Sequence, residues 1–597
     1  MYSAKIFIQR AVDPNAYKAG KDLGLTDLQA KIVAGRVEGY TGDLKPVIAP
    51  SLNYLSHPQE LKDCTKGAGR IATAVIQSKP IGIITDYDVD GISAHALLVE
   101  SLQQFYFPTK SIFSHIGHRL TDGYGLSPNI IERILSAETK PEIIITADCG
   151  SSDQEAISML EEAGIDVIVT DHHAIPCEGV PQSAYAVVNP ARDDCSYPDK
   201  SISGCMVSWL VMCQVRNILI EKKYLPATIP KLGNLLDYVA LSTVADAVSL
   251  LSPSNRAVVL RGLDRLNELD KPAWVSFAKL CNKNGYASAQ FTAEDLGFMI
   301  GPRINAQGRV DDPMKALGFL LAEDGCSADN YLDILDKNNT TRKGIEKDMV
   351  AIAKGRAEEL VRQKNKGLVI YEDDFHPGVQ GIVASRLVDS FGLPAVVFSR
   401  VDGSTEISGS ARTIPEIHIR NALQEIDNRF PGLIIRFGGH KGAAGLKISS
   451  ENIELFRHAF EDIMSEYGDK LDLQPKVYSD GYLDEGQISL DTINELKAIE
   501  PFGRGFAEPV FEGIFTIEEC RIVGREPIHA VFKLAKQDQI YSAIWFRALG
   551  KPGEELPFRY NDTIKCAFKL KLNSFRGKKD VQMVIEHAQL EDPLMSN

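Results

Sequence analysis

The stretch Ile81-Gly82-Ile83-Ile84-Thr85-Asp86-Tyr87-Asp88-Val89-Asp90-Gly91 decides the fold, because an apolar run leads directly into three alternating carboxylates. Successive side chains of a strand point to opposite faces, so Asp86, Asp88 and Asp90 converge if the chain stays extended. Three carboxylates that lie close together repel one another. The arrangement is tolerable only if the carboxylates are exposed or a cation lies among them. This stretch alone leaves two interpretations open, an acid-rich turn at a strand end or one part of a metal site.

The chain around this stretch alternates strand patterns with helix patterns from about residue 70 to 190. The predicted strands are 81–88, 142–148, 166–173 and 185–190, and the predicted helices include 92–105 and 154–164. Continuous Val and Ile runs between helices indicate a parallel sheet that is covered on both faces. Ligands of such sheets bind outside the carboxyl ends of the strands.

Acids or imidazoles follow three of these strands directly. Asp148 ends the second strand, and Asp171-His172-His173 ends the third. One such cluster alone is more often a loop, but three at one edge of one sheet favour a metal site. Asp246 is a further candidate, because it lies in the apolar run Thr243–Val248 and an unpaired buried acid is costly.

The ligand types predict the ion and the reaction class. Carboxylates and imidazole favour Mn²⁺ or Mg²⁺ over a soft metal. So many acids suggest two ions, and two ions roughly 3.5–4 Å apart suit phosphoester hydrolysis. Redox chemistry is less favoured, because the sequence has no G-x-G-x-x-G phosphate loop.

The bulk composition is that of a soluble, multidomain chain of 597 residues. No apolar run reaches the roughly 20 residues that span a bilayer, no secretory signal opens the chain, and the ten cysteines are scattered. We therefore expect a cytoplasmic protein that does not enter a membrane. The net charge of −15 means that any contact with nucleic acid comes from a confined basic groove.

The remaining sequence divides into further domains. A charged helical pattern at 331–364 predicts a long connecting helix, and a second, smaller α/β unit begins at Gly367 with a helix at 380–391. Short alternating strands from about residue 470 predict a β-barrel or sandwich. The predicted domains are 1–50 (N-terminal segment), 51–330 (catalytic α/β), 331–364 (connecting helix), 365–465 (second α/β) and 466–597 (β-barrel).

The last domain carries a candidate nucleic-acid surface. Alternation places Lys569, Lys571 and Asn573 on one face of a strand, and Phe575 and Lys578 lie beside the following turn. Basic residues with an interleaved aromatic are typical of an OB-fold groove for single strands. The alternative is an edge strand that lysines protect from aggregation.

Four motifs in fixed order resemble the DHH phosphoesterase superfamily. They are Asp-x-Asp-x-Asp-Gly at 86–91, Ala-Asp-Cys-Gly at 147–150, Asp-His-His at 171–173 and Thr-Val-Ala-Asp at 243–246. Within the superfamily the chain resembles the RecJ family, whose members are single-strand-specific DNA exonucleases. Further blocks support it at 122–126, 301–309, 376–386, 437–440, 501–505 and 508–511. The chain departs from the usual pattern at Thr85, Cys149 and Ala411, and none of these changes removes a ligand.

The resemblance implies a role for each matching residue. The metal ligands would be Asp86, Asp88, Asp90, Asp148, His172 and Asp246, with Asp148 as the bridge between two ions. The catalytic residues would be His173, which approaches the scissile phosphate, together with Asp171 and His440. The substrate-binding residues would be Arg303, Arg309, Ser410, Arg412, Gly438 and Gly439, with Lys569, Lys571, Phe575 and Lys578 in the OB-fold. For Arg303 and Arg309 the alternative is an ion pair with Asp311 or Asp312.

The resemblance also implies the activity. It is 5′-to-3′ hydrolysis of single-stranded DNA to 5′-mononucleotides in DNA repair and recombination, by a monomer that a single-strand-binding protein and a helicase assist. The alternatives are a DHH phosphoesterase for short oligonucleotides or RNA, and a non-catalytic replication scaffold. A scaffold would have lost ligands, and this chain retains all of them.

Overall fold

The computed structural model describes residues 5–37, 42–119, 121–283, 290–401, 403–468, 475–484, 486–575 and 578–591. The chain divides into two compact units. One is Ser51–Leu473, and the other combines Met1–Pro50 with Gln474–Asn597. No helix in the described ranges combines the length and the apolar character that crossing a bilayer requires.

The helices and strands are numbered in chain order. The strands are β1 (Ile6–Gln9), β2 (Ile81–Thr85), β3 (Ile112–Ile116), β4 (Ile143–Ala147), β5 (Asp166–Thr170), β6 (Ala186–Val188), β7 (Leu368–Tyr371), β8 (Ala395–Arg400), β9 (Glu406–Arg412), β10 (Arg436–Gly439), β11 (Ala443–Ser449), β12 (Lys476–Ser479), β13 (Phe511–Val523), β14 (His529–Lys536), β15 (Gln539–Trp545), β16 (Thr563–Phe575) and β17 (Lys578–Leu590). The helices are α1 (Pro14–Asp22), α2 (Asp27–Ala34), α3 (Lys45–Ile48), α4 (Cys64–Ile76), α5 (Val89–Gln104), α6 (Pro128–Leu135), α7 (Gln154–Glu162), α8 (Gly204–Glu221), α9 (Leu236–Ala245), α10 (Pro253–Asn267), α11 (Pro272–Lys283), α12 (Ala293–Asp295), α13 (Gly301–Val310), α14 (Met314–Leu320), α15 (Gly325–Arg362), α16 (Gln380–Phe391), α17 (Ile419–Arg429), α18 (Ile453–Gly468) and α19 (Leu490–Lys497).

The first sheet is parallel throughout and has the strand order β3-β2-β4-β5-β6. β2 and β4 are buried along their whole length, which agrees with their continuous apolar sequences. The chain leaves β2 toward β3 on one side and later returns to place β4 on the other side. The order therefore reverses between β2 and β4, and the crevice outside such a reversal is where doubly wound sheets bind ligands.

Helices cover both faces of this sheet. Ile81 and Ile83 of β2 pack into the core that includes α4, α5, α8 and α9. Ile84 faces the other way, into a core with α6 and α7. The prediction of a doubly covered parallel sheet is confirmed. The observed strands end before the acids that follow them, and the edge strand β3 was missed.

The helix α15 connects the first sheet to the second. Its 38 residues make it about 57 Å long at 1.5 Å per residue. Asp324 caps its first turn by accepting from the amides of Cys326 and Ser327. Leu335 belongs to the core of the first sheet, and Met349 belongs to a core under the second. The helix starts six residues before the predicted one, because its first turns are polar.

The second sheet has the order β10-β11-β9-β8-β7, in which β7 and β8 are parallel and the other pairs are antiparallel. α16 lies against β8 and β9, and its bounds coincide with the predicted helix at 380–391. α17 and α18 pack in the core on the opposite side, through Leu423 and Phe460.

The other unit contains a closed barrel of β13, β14, β15, β17 and β16. The predicted β-barrel is thereby confirmed. In the same unit β1 pairs in parallel with β12, and the buried Arg36 forms an ion pair with Asp480. Residues of the N-terminal segment thus complete the barrel's unit, and no local sequence pattern reveals this association.

Candidate metal centre and phosphate pocket

The acidic stretch after β2 turns directly into a helix. Asp88 caps α5, and its Oδ1 accepts from the amides of Asp90 (2.9 Å) and Gly91 (3.2 Å). A side chain at Gly91 would lie 2.3 Å from the carbonyl oxygen of Asp86, so only glycine permits this turn. The chain does not stay extended here. The acids converge because of the strand-to-helix turn and not through strand alternation.

Asp90 is held by the start of α8. Its Oδ2 accepts from the amide of Gly204 and its Oδ1 from the amide of Cys205, both at 2.7 Å, and Oδ1 also accepts from Ser242 Oγ at 2.6 Å. A helix N-terminus favours a negative charge. Burial nevertheless raises the pKa of Asp90 above its usual value. The carboxylate is therefore fixed in place before any ligand binds.

Asp148 and Asp86 are buried, and one carboxylate oxygen of each lacks such support. Asp148 follows β4 in the left-handed region, with φ of 60°, and is 2% exposed. Its Oδ1 and the Oδ1 of Asp86 have no hydrogen-bond partner within the described ranges. Burial, followed by the charges of neighbouring aspartates, raises the pKa of both carboxyls well above the usual value. Two orphaned, buried oxygens beside other acids are what a cation site requires.

His172 joins these carboxylates from the end of β5. Its Nε2 lies 3.2 Å from Asp148 Oδ1, 3.6 Å from Asp90 Oδ2 and 3.7 Å from Asp246 Oδ2. This nitrogen is also buried without a hydrogen bond to any described residue. Asp90, His172 and Asp246 each place one ligand atom within 4.8 Å of the ligand atoms of the other two. Asp86, Asp88 and Asp148 do the same. Asp148, His172 and His173 also meet this criterion, so Asp148 belongs to the group with Asp86 and Asp88 and contacts the other group through His172.

Asp171 orients its neighbour His173. Its carboxylate accepts from the backbone amides of Ser151, His172 and His173, and His173 Nδ1 lies 2.8 Å from Asp171 Oδ1. Burial alone would raise the pKa of Asp171, but the hydrogen bond and charge of His173 lower it. The same pair raises the pKa of His173 although burial would lower it. The imidazole is consequently held as a hydrogen-bond donor at the edge of the ligand groups.

Sequence reasoning assigned no role to two contributors to this site. Tyr124 Oη lies 3.0 Å from the carbonyl oxygen of Asp148 and 3.1 Å from His173 Nδ1. Ser242 reaches Asp90 from α9. Tyr124 lies in the block 122–126, which resembles the family, and this block is a sequence signal for its role. Ser242 lies four residues before Asp246, one helical turn away, which is the only local hint.

A second cluster contains arginines instead of acids. Burial, together with the charges of Arg119, Arg342 and Arg412, lowers the pKa of Arg309 to about 9. Arg412 donates to Ser410 Oγ at 3.0 Å, and burial lowers its pKa as well. No carboxylate of the described residues forms an ion pair with Arg119, Arg309 or Arg412. Partly buried guanidinium groups that lack an acidic partner favour binding of an anion.

The N-terminus of α16 opens onto this cluster. A Cβ at Gly381 would lie 2.6 Å from the guanidinium of Arg412 and 3.0 Å from Ser410 Oγ, so the glycine keeps the space clear. Arg309 donates to the carbonyl oxygen of Gly378 at 2.8 Å, just before the helix. Backbone amides at a helix N-terminus attract phosphate. We call Arg309, Ser410, Arg412 and Gly381 the phosphate pocket.

Arg303 lies apart from the phosphate pocket. It forms an ion pair with Asp336 at 2.8 Å and donates to the carbonyl oxygen of Met299 at 2.8 Å. Neither Arg303 nor Arg309 takes the alternative ion pair with Asp311, which pairs with Lys315 at 2.6 Å. Arg303 and Arg309 are six residues apart on α13, which places them on different faces of the helix.

The remaining predicted substrate residues lie in two hairpins. Gly438 and Gly439 are in β10 opposite Gly445 and Ala444, and His440 accepts from the amide of Gly442 through Nδ1 at 3.2 Å. In the barrel, Lys571 pairs with Glu508 at 2.6 Å, and Lys569 with Glu586 at 2.8 Å. Acids therefore neutralise the predicted basic face. The side chains of Phe575 and Lys578 lie outside the described residues.

The strand carrying these lysines is not at an edge. β16 pairs with β13 and with β17 inside the closed barrel. The alternative of an edge strand protected by lysines is wrong. Lys569 instead pairs with Glu586 on the adjacent β17, and Lys571 pairs with Glu508, which precedes β13.

Family models match three segments of the chain. The DHH family N-terminal domain matches residues 80–242, the DHHA1 domain 364–466 and the RecJ OB domain 479–587. These matches follow the observed order of first sheet, second sheet and barrel, and define a DHH-type phosphoesterase architecture with an appended OB domain.

The chain belongs to the RecJ family. Two curated relatives are named single-stranded-DNA-specific exonuclease RecJ. That of Dickeya dadantii is 34% identical over 90% of this chain and 92% of its own length, and that of Escherichia coli is 32% identical over 89% and 90%. The crystal structure of RecJ in complex with Mn²⁺ from Thermus thermophilus shares the fold, with a TM-score of 0.78 and 24% identity over 98% of this chain and 80% of that one. A crystal structure of exonuclease RecJ bound to manganese has a TM-score of 0.54 and 28% identity over 69% and 98%.

Proposed function

We propose that this protein is a single-stranded-DNA-specific exonuclease that releases 5′-mononucleotides in the 5′-to-3′ direction by two-metal phosphodiester hydrolysis, in DNA repair and recombination. The observation that carries this proposal is Asp148 at the switch point of the first sheet, whose orphaned buried Oδ1 lies 3.2 Å from His172 Nε2 while the residue groups with Asp86 and Asp88. Membership of the RecJ family supports the substrate class.

The donor set suits Mn²⁺ or Mg²⁺. Asp86, Asp88 and Asp148 would hold one ion, and Asp90, His172 and Asp246 would hold the other, with Asp148 between them. Oxygen-rich ligands with one imidazole fit these ions, and a manganese-bound relative is 28% identical. When bound, a pair of such ions polarises the phosphoryl group and activates water.

The protein's own groups bind and orient the substrate. His173, fixed by Asp171, would donate a hydrogen bond to an oxygen of the scissile phosphate, and His440 would approach the same group from its hairpin. Asp171 stays ionised in this role, because the charge and hydrogen bond of His173 lower its pKa.

The phosphate pocket supports the 5′ polarity. A terminal phosphate carries more negative charge than an internal one, so it gains more from unpaired guanidinium groups and a helix N-terminus. Arg309, Arg412 and Ser410 provide the side-chain donors. Arg303 is a weaker candidate for this contact, because Asp336 already neutralises it.

The experiment is product analysis with single strands labelled at either end, with and without a 5′ phosphate, in the presence of Mn²⁺. We expect release of mononucleotides from the 5′ end, loss of activity in Asp148→Ala, and loss of the preference for a 5′ phosphate in Arg412→Ala. Full activity of Asp148→Ala would refute the site, and initial release from the 3′ end would refute the polarity.

The alternatives are decided by comparing substrates. Faster cleavage of a dinucleotide than of a long strand would favour a phosphoesterase for short oligonucleotides, and equal rates on RNA would remove the DNA preference. Tight Mn²⁺ binding without any turnover would favour a scaffold. We further propose a cytoplasmic monomer that works with a single-strand-binding protein and a helicase, which sedimentation and pull-down with those partners would test.

A further inference from the structure

The segment that follows Asp246 is irregular and joins this residue to α10. α9 ends at Ala245, Asp246 forms its C-cap, and Ala247 takes a left-handed conformation with φ of 54°. The C-terminus of a helix disfavours a negative charge. The amide of Asp246 bonds to the carbonyl oxygen of Ser242 at 2.9 Å, and residues 247–252 carry the chain on to α10, so α9 and this segment both hold Asp246.

Asn255 holds this segment. It is fully buried, and its Nδ2 donates to the carbonyl oxygen of Ser249 at 2.9 Å and to that of Ser201. Its side-chain amide therefore donates its two N–H groups to backbone carbonyl oxygens of two separate segments. The next residue, Arg256, is 1% exposed and donates to the carbonyl oxygen of Leu250 at 3.4 Å.

The second segment leads to the anchor of Asp90. Ser201 lies two residues before Ser203, which caps α8 and whose Oγ lies 2.7 Å from Ser242 Oγ. The first two amides of α8 hold the carboxylate of Asp90. A single side chain therefore joins the segment after Asp246 to the segment that fixes Asp90, and a further tie runs from the amide of Ser249 to Ser201 Oγ at 3.3 Å.

We propose that Asn255 is a positioning residue that sets the spacing of Asp90 and Asp246 and so controls the affinity of one of the two cation positions. This inference rests on the proposed function, because it assumes that the two ligand groups bind ions. Ligand oxygens must lie within about 0.2 Å of their ideal distances, so a small displacement of one carboxylate weakens binding. The hydrogen bonds of Asn255 within the described ranges do not reach the other group, formed by Asp86, Asp88 and Asp148.

The test is Mn²⁺ titration of the metal-free full chain, followed by electron paramagnetic resonance, on wild type and Asn255→Ala. We expect the step that depends on Asp90 and Asp246 to weaken by on the order of ten-fold or more, and the step that depends on Asp86 and Asp88 to weaken by a clearly smaller factor. Asp246→Ala should remove the same step, and Asp88→Ala should affect the other. Asn267→Ala is the matched control, since Asn267 lies on the same helix and donates to the carbonyl oxygens of Leu263 and Phe291 instead.

The outcomes separate this inference from the proposed function. Equal weakening of both steps in Asn255→Ala, or no weakening, would overturn the positioning role. Absence of any Asp148-dependent Mn²⁺ binding in wild type would instead refute the metal site itself. If Asn255→Ala does not fold, Ser201→Ala removes only the exposed second tie, and it should weaken the same step by a smaller factor.

Discussion

Gly204→Ala should disable the metal site without removing a ligand. A Cβ at this first residue of α8 would lie 2.9 Å from both Cα and Cβ of Asp148, whereas ordinary contacts begin at 3.4 Å. Relief of the clash requires a displacement of about 0.5 Å, which exceeds the roughly 0.2 Å tolerance of metal–ligand distances. Either Asp148 moves, or the start of α8 moves and carries Asp90 with it. Overpacking of this kind costs about 1–3 kcal/mol of unfolding free energy.

The assay is Mn²⁺ affinity together with kcat/KM on a 5′-phosphorylated single strand. We expect both to fall by on the order of ten-fold or more, since 1.4 kcal/mol corresponds to a factor of ten. Gly69→Ala is the matched control. Its Cβ would meet nothing within 4 Å on α4, so it should raise the unfolding free energy by about 1 kcal/mol and leave metal binding unchanged.

Wild-type Mn²⁺ affinity and kcat/KM in Gly204→Ala would refute the reasoning. Such a result would mean that Asp148 and the start of α8 tolerate the displacement, and therefore that their close approach does not define the site. Loss of activity that merely tracks loss of thermal stability, at unchanged Mn²⁺ affinity, would contradict it equally.

Two further predictions concern the barrel. Burial lowers the pKa of His587 to about 4, so the folded state resists protonation. The unfolding free energy should therefore fall by about 3 kcal/mol as the pH drops from about 6.5 to 4. In denaturant titrations, His587→Gln should flatten this pH dependence. An identical pH profile in the variant would disprove the assignment. Glu508→Gln removes the acid that pairs with Lys571, so single-strand affinity should rise and the slope of log K against log salt should steepen by about 0.7. An unchanged slope would show that this face does not contact phosphates.

The strand ends were predictable because their signal is local. β2, β4 and β5 are continuous apolar runs, and each is followed at once by an acid, so periodicity and the rule for parallel sheets suffice. The geometry of the first acidic motif was less predictable. A run of alternating acids is compatible with an extended strand and equally with a helix start that an Asp caps. The structure has the second arrangement, with Asp88 as the cap.

Features that depend on distant partners could not be predicted from the sequence. Lys569 and Lys571 form a basic stripe in sequence, yet Glu508 and Glu586 reach them from other parts of the barrel unit. Arg303 and Arg309 occupy the same motif, and only the packing of α13 decides which of them pairs with Asp336. β3 escaped notice because its five residues include Ser114 and His115 and lie at the edge of the sheet.

The helix α15 has a consequence for what evolution can change. Its first half belongs to the core of the first sheet and its second half to a core of the second, so residues 336–344 form the span between them. Substitutions that preserve the helix leave the two cores in register, but one inserted residue adds about 1.5 Å and rotates the second sheet by about 100°. Under the proposed function, a strand held in the phosphate pocket would then place a different phosphodiester bond at the carboxylates. Asp336 in this span pairs with Arg303, and Asn339 and Arg342 are buried, so the span is constrained in composition as well as in length. Under the proposed function, its length in residues sets which bond along the strand is cut.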